Sequence, residues 1–233
     1  VGEVIEEPSP FVAQVMADVE RLSAEDEPYH RELITYEAPY LDNLPTAPRE
    51  KFAANIAAIQ KLKEIEQRVA NGGSPAFEDE QKILAQYTGW GGLSDAFDPN
   101  KSAWSNEYSQ LKAALSESEY EAARSSTLTA FYTPATVIHP IYRALERFGV
   151  KGGKILEPSM GTGAFLAHGH FGSSDATFYG VELDSITGRI SKQLYQKANI
   201  QVTGYENALL PDNYFDCVIG NVPFGNFQVN DSQ

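Results

Sequence analysis

Lys154-Ile155-Leu156-Glu157-Pro158-Ser159-Met160-Gly161-Thr162-Gly163-Ala164-Phe165-Leu166 reads as a short apolar strand, an acid at its carboxyl end, a glycine loop and the start of a helix. Ligands of open α/β sheets bind beyond the carboxyl ends of strands, where glycines let the backbone approach them. A second stretch, Asp216-Cys217-Val218-Ile219-Gly220-Asn221-Val222-Pro223-Phe224, is another apolar strand, ending in a side-chain amide, a rigid proline and an aromatic ring. Together the two predict a cofactor site beside a site for a planar substrate.

Outward from the glycine loop, strands are predicted over Lys154–Glu157, Thr177–Glu182, Ile200–Thr203 and Phe215–Gly220. Helices are expected from about Gly163 and over Ser185–Lys197, with Asp184 capping the second. Strands alternating with helices argue for a parallel sheet with right-handed crossovers. The predicted fold class is therefore α/β, with a helical region ahead of the sheet.

In that region Arg49–Ala70 is an amphipathic helix. Phe52, Ile56, Ile59, Leu62, Ile65 and Val69 step at three and four residues, and Asn71-Gly72-Gly73 stops it. A helix over Ser74–Gln86 leads into Tyr87-Thr88-Gly89-Trp90-Gly91-Gly92-Leu93, read as a tight turn with Trp90 plugging the core rather than as the wall of a base pocket. Glu107–Arg124 is expected to be helical, with Leu111 and Leu115 inward and a break at Ser116. Phe131-Tyr132-Thr133-Pro134 precedes a helix that Thr133 would cap, with Pro134 in its first turn. The inward face of that helix would be Val137, Ile138, Ile141, Leu145 and Phe148. The division follows as an acidic, proline-punctuated segment 1–47 with a helix near Phe11–Leu22, a helical region 48–130 and an α/β core 131–233.

Composition limits the function classes. At 42% hydrophobic and 21% charged residues the chain is ordinary globular material. No apolar run reaches the roughly 20 residues of a membrane span, and the first residues lack the pattern of a signal peptide. Cys217 is the sole cysteine, so no internal disulfide can form and a cytoplasmic location is expected. The net charge is −14, whereas affinity for nucleic acid draws on Lys and Arg neutralising phosphates. Any DNA contact is therefore expected from surfaces outside these residues.

The glycine loop lacks the Gly-Lys-Ser/Thr end of a phosphate cradle and the spacing of a dinucleotide fingerprint. A carboxylate at the strand end repels a pyrophosphate but pairs with an ammonium group, which suits the amino-acid portion of S-adenosyl-L-methionine. Glu182 stands at the end of the next strand, where an acid accepts hydrogen bonds from ribose hydroxyls. Glu206, after strand three, would receive an adenine amino group. In Asn221-Val222-Pro223-Phe224 the Asn221 side-chain oxygen and the Val222 carbonyl would accept both hydrogens of an exocyclic amine. Pro223 would fix the backbone and Phe224 would offer a stacking face, on a base flipped from its duplex.

These motifs resemble the N6-adenine DNA methyltransferases, with their Rossmann-like sheet. Phe131-Tyr132-Thr133-Pro134 is similar to the N-terminal cofactor motif of that family. Glu157–Gly163 is similar to its glycine loop, and Asn221–Phe224 to its Asn-Pro-Pro-Tyr/Phe tetrapeptide. Tyr87–Phe97 and Gly180–Leu194 further resemble the methylase region of large helicase–methylase proteins of bacterial conjugative elements and phages. The resemblance implies that Phe131, Thr133, Pro134, Glu157, Pro158, Gly161, Gly163, Glu182, Leu183 and Glu206 bind S-adenosyl-L-methionine. It implies that Asn221, Val222, Pro223 and Phe224 orient the target amine. It also implies DNA as partner, fusion to a helicase region, no membrane and a chain that is part of a longer protein. Val222 stands where the family usually has proline, and the last three of the family's strands do not follow. Those departures motivate a second reading as a catalytically degenerate scaffold or DNA-docking module. A third keeps the chemistry but takes RNA or a protein glutamine as substrate.

Other residues carry plainer readings. His168-Gly169-His170 lacks partners at metal-ligand spacing and is expected in a solvent loop. His139 is expected to be structural, Cys217 an inert thiol, and Glu117 to Glu121 an acidic helix surface. Asn230-Asp231-Ser232 matches a glycosylation acceptor but has no secretory context.

Overall fold

A computed structural model of the chain describes residues 44–127, 133–169 and 176–222. The helix expected near Phe11–Leu22 lies outside them. Helix α1 runs Pro48–Ala70 and buries Phe52, Ile56, Ile59, Leu62 and Ile65. Gly72, at φ +81°, ends it, with the Gly72 N–H donating to Val69 O and the Gly73 N–H to Arg68 O, both at 2.9 Å. This pairing satisfies carbonyls that a helix end otherwise leaves open. Val69, expected inward, is exposed. In this last turn Arg68 takes the contact instead, donating to both oxygens of Glu80 at 2.7 and 2.6 Å.

Helix α2 is shorter than expected, Glu78–Leu84. Trp90 does plug the core, 1% exposed, packed edge-on against Phe52, Tyr87 and Phe97. Asn55 pins the turn beneath it, donating to Gly89 O at 2.7 Å and accepting from the Thr88 N–H at 2.8 Å. Helices α3 (Ser105–Ala114) and α4 (Glu117–Ser126) follow. The break between them falls at Ser116, whose hydroxyl caps α4 by accepting from the Glu119 N–H.

Helix α5, Ala135–Arg147, starts differently from the prediction. Pro134 is its cap residue, and the N–H groups of Val137 and Ile138 bond to Pro134 O. Thr133 thus lies one position too early to cap. The buried line of α5 is Ile138 and Tyr142. Val137 and Phe148, expected inward, sit at its margin and are 47% and 84% exposed.

The sheet is fully parallel, in the order β3-β2-β1-β4. Its strands are β1 Gly153–Glu157, β2 Ala176–Glu182, β3 Asn199–Val202 and β4 Cys217–Val218. The ladder of β4 is shorter than predicted, although the Asp216 and Ile219 N–H groups also bond to Lys154 O and Leu156 O at 2.9 Å. Between the strands lie α6, one turn over Ala164–Ala167, and α7, Ser185–Leu194. Asp184 caps α7 as expected, accepting from the Thr187 N–H at 2.7 Å.

One face of the sheet packs on α7 and through it on α1, α2 and α4, so that Ile59, Leu62, Met160, Ile186, Ile190 and Leu194 share one apolar cluster. On the other face Ile138, Tyr142, Ile155, Phe165 and Ile219 form a second. Polar links cross from the helical region to α7. Arg189 donates to both oxygens of Glu66 at 2.6 Å and to Glu119 at 2.7 Å. Glu119 was expected on a solvent surface, yet its side chain is only 10% exposed. No helix among the described residues is long and apolar enough to cross a membrane.

Candidate active site

The chain order of the sheet places the site. From β1 the chain moves outward to β2 and β3, then returns to the other side of β1 as β4. Such a reversal opens a crevice beyond the carboxyl ends of β1 and β4. Glu157 ends β1 and Asn221 follows β4, and both line one cleft with Thr133, Met160, Gly161 and Phe165. Gly220 packs beside Glu157 and Pro158, where a Cβ would lie in ordinary contact, 3.5 Å from Glu157 Cγ and Pro158 Cδ.

Glu157 is 3% exposed. Its Oε2 is buried and has no hydrogen-bond partner among the described residues. Burial pushes its carboxyl well above the ordinary 4.5, and the neighbouring Glu182 adds to the shift. Glu182 is raised to about 7, because burial outweighs the backbone N–H groups that favour its ionised form. Those donors are Gly161, to Oε2, and Asp184, to Oε1, each at 2.7 Å. The acid expected to face a ribose therefore also ties the glycine loop to the end of β2.

The loop itself is held tightly. Gly161 and Gly163 adopt φ +54° and +78°, a left-handed backbone that glycine adopts without steric cost. The Met160 N–H donates to Val181 O at 2.9 Å. Gly180 leaves room for Met160, whose Sδ would lie 2.2 Å from a Cβ at that position. Ser191 and Tyr195, at the back of the loop, donate to Gly161 O and Thr162 O at 3.0 and 3.1 Å. Sequence reading missed both, because a serine within a helix and a tyrosine at its end give no local sign of the carbonyls they reach.

On the β4 side the Asn221 amide Nδ2 donates to Thr133 Oγ1 at 3.2 Å. The hydroxyl expected to cap α5 thus orients the amide instead. Val222 and Leu183 are exposed, at 57% and 76%. Glu206 sits in the turn Tyr205–Asn207, exposed, accepting from its neighbour Asn207 at 3.0 Å. Pro134 caps α5 and Pro158 follows β1. Phe131, Pro223, Phe224 and His170 lie outside the described residues. His168, expected in a solvent loop, is buried with its ring edge-on to His139 at 5.1 Å. Cys217 is half-buried, and burial raises its thiol above the ordinary value.

A parallel sheet with a glycine loop and an acid at one strand end, and an amide at its neighbour's, defines an α/β protein of the class that binds ligands beyond the carboxyl ends of its strands. Residues 117–233 match the family N-6 DNA Methylase, and the chain belongs to it. Membership implies S-adenosyl-L-methionine as methyl donor. The chain is 28% identical over 179 residues to the Defense against restriction protein B of Escherichia phage P1, an alignment spanning 76% of this chain and 6% of that protein. It is 33% identical over 95 residues to the Modification methylase CviBIII of Paramecium bursaria Chlorella virus NC1A, spanning 40% of this chain and 25% of that one. The chain thus spans a minor part of the length of both relatives.

Proposed function

We propose that this chain is the cofactor-binding part of a DNA methyltransferase that methylates the N6 amine of adenine, within a longer protein that supplies DNA contacts and carries a helicase region. The observation that carries the reading is the pairing, across one crevice, of a buried carboxyl with one oxygen lacking a partner among the described residues and an amide whose N–H side is already engaged. The residues present fit S-adenosyl-L-methionine. Glu157 offers an unmatched acceptor to its ammonium group, and Gly161 and Gly163 give a loop without side chains. Glu182 and the exposed Leu183 stand at the next strand end for its ribose and adenine, with Thr133 lining the cleft and Pro134 and Pro158 next in the chain to Thr133 and Glu157. Phe131 and Glu206 complete the set by sequence.

When bound, that cofactor supplies an electrophilic methyl group. The chain's own contribution is to position the acceptor. Because Asn221 Nδ2 donates to Thr133, its Oδ1 is left to accept a hydrogen from an exocyclic amine, and the Val222 carbonyl accepts the second. These bonds fix the amine with its lone pair free, a gain from orientation rather than from covalent chemistry. Pro223 and Phe224 would stiffen the loop and stack the base. The net charge of −14 leaves phosphate contacts to other parts of the protein.

Titration calorimetry of the chain with S-adenosyl-L-methionine and transfer of labelled methyl by the longer protein test this reading. Binding, with transfer to adenine-containing DNA that Asn221→Ala abolishes, is the expected result. A folded chain that fails to bind at millimolar cofactor refutes the reading. Transfer that survives Asn221→Ala refutes the role of Asn221, and transfer to RNA or protein alone reassigns the substrate.

A further inference from the structure

Ser191 lies in α7 and Tyr195 is the residue just after it, and neither lines the cleft. Both are buried, at 0% and 2% exposure. Their hydroxyls donate to the carbonyl oxygens of two successive loop residues, Gly161 at 3.0 Å and Thr162 at 3.1 Å. The Tyr195 ring also fills the space beside Gly163, where a Cβ would lie 2.3 Å from Cε2. A trans peptide is planar, so fixing a carbonyl direction fixes the N–H on its opposite edge. Holding Gly161 O toward Ser191 therefore turns the Thr162 N–H away from α7. Gly161 and Gly163 have no Cβ to restrict them. The Thr162–Gly163 peptide is also held by the Gly163 N–H donating to Met160 O at 2.8 Å, whereas the Gly161–Thr162 peptide is held at its carbonyl by Ser191.

We infer that Ser191 and Tyr195 are positioning residues for the cofactor loop, setting the peptide planes of Gly161-Thr162-Gly163 from behind so that ligand affinity depends on two hydroxyls outside the cleft. The inference rests on the cofactor reading proposed above. It adds α7 and the residue after it to Glu182 and the Met160 turn as supports of the glycine loop, and it links affinity to a helix that also carries the contacts to the helical region.

Tyr195→Phe and Ser191→Ala each delete one hydroxyl and keep the packing. Ser125→Ala is the control, since that exposed hydroxyl bonds only to Glu121 O in its own helix. S-adenosyl-L-methionine affinity is measured by calorimetry at a temperature where circular dichroism shows every variant folded, alongside amide hydrogen exchange at residues 161–163. Each loop variant should bind roughly three- to tenfold more weakly, the ratio that one net hydrogen bond supports, with faster exchange at the loop and an unchanged control. Loss of stability alone cannot move the affinity of a fully folded sample. Affinities within twofold of a parent that binds would overturn this inference and leave the cofactor reading standing. A parent that does not bind removes both.

Discussion

Replacing Glu157 by Gln should change how stability depends on pH, and the size of the change follows from burial. The Glu157 carboxyl is 3% exposed, with one oxygen lacking any partner among the described residues. Its folded value is well above the ordinary 4.5. From about pH 5 upward the unfolded chain has therefore released this proton while the folded chain keeps it. Folding takes up one proton at this site, so stability falls as pH rises, by about 1.4 kcal/mol per pH unit for as long as the folded carboxyl stays protonated. Below the unfolded value both states are protonated and the penalty vanishes. Over two pH units the loss is about 3 kcal/mol, a large share of a typical domain's stability. Gln has nearly the same shape and does not titrate. Glu182, raised to about 7, contributes in the same direction to both proteins and cancels in the comparison. Urea unfolding at pH 5, 6 and 7 should show the stability difference between Glu157→Gln and parent widening in favour of the variant, by at most about 1.4 kcal/mol per unit. Parallel pH profiles would refute the claim that this carboxyl is held neutral. Saturating S-adenosyl-L-methionine should narrow the gap, since a cation beside Glu157 favours the ionised form.

Gly163→Ala should destabilise the chain by about 3 kcal/mol or more, because left-handed backbone strain adds to a collision with the Tyr195 ring. Gly72→Ala, with a similar φ of +81° but nothing within 4 Å of the new methyl, should cost only about 1 kcal/mol in the same urea assay. Arg189→Met should lower stability by about 2 kcal/mol near neutral pH, by leaving Glu66 and Glu119 without their shared guanidinium. Burial works to raise the Glu119 carboxyl, but hydrogen bonds from Arg189, the Ser116 N–H and Lys63 hold it at about 2. That stabilisation is present above about 4.5 and lost as pH falls toward 2, so the variant's acid unfolding profile should be flatter by circular dichroism.

Much of this architecture is legible in the sequence because local signals agree with one another. The strand-acid-glycine order at Lys154–Gly163, the spacing from Phe52 to Ile65 and the break at Ser116 each follow from period, cap or turn chemistry, and the structure has all three. The cleft around Glu157 and Asn221 was expected from sequence as two neighbouring sites at strand ends, and the structure lines one cleft with both. Their adjacency depends on β4 returning beside β1, which no local pattern states. The errors have a common source. Val137, Phe148 and Val69 satisfy helical spacing, yet each sits where the neighbouring layer stops, so periodicity marks a face without marking its edges. Thr133 has the right chemistry for a cap, but a partner 88 residues away takes its hydroxyl. Glu119 and His168 look like surface residues until α7 and α5 pack over them.

A buried polar atom without a partner is not by itself a sign of function, and this chain offers the comparison. Trp90 Nε1 and Glu157 Oε2 are both buried and unpartnered among the described residues. The indole lies in a dry aromatic cluster with Phe52, Tyr87 and Phe97, where ring packing offsets a modest desolvation cost. The carboxyl opens onto a cleft, costs far more to bury in its charged form, and has a second acid beside it. Glu182 recovers part of its cost through two backbone N–H donors, whereas Glu157 recovers none through its free oxygen. A chain shaped for stability alone gains nothing from that pair, since a neutral residue at 157 would fold more favourably at neutral pH. Under the proposed reading, a cation arriving from outside would favour the ionised form of this carboxyl, and the switch point of the sheet is where such a ligand would sit.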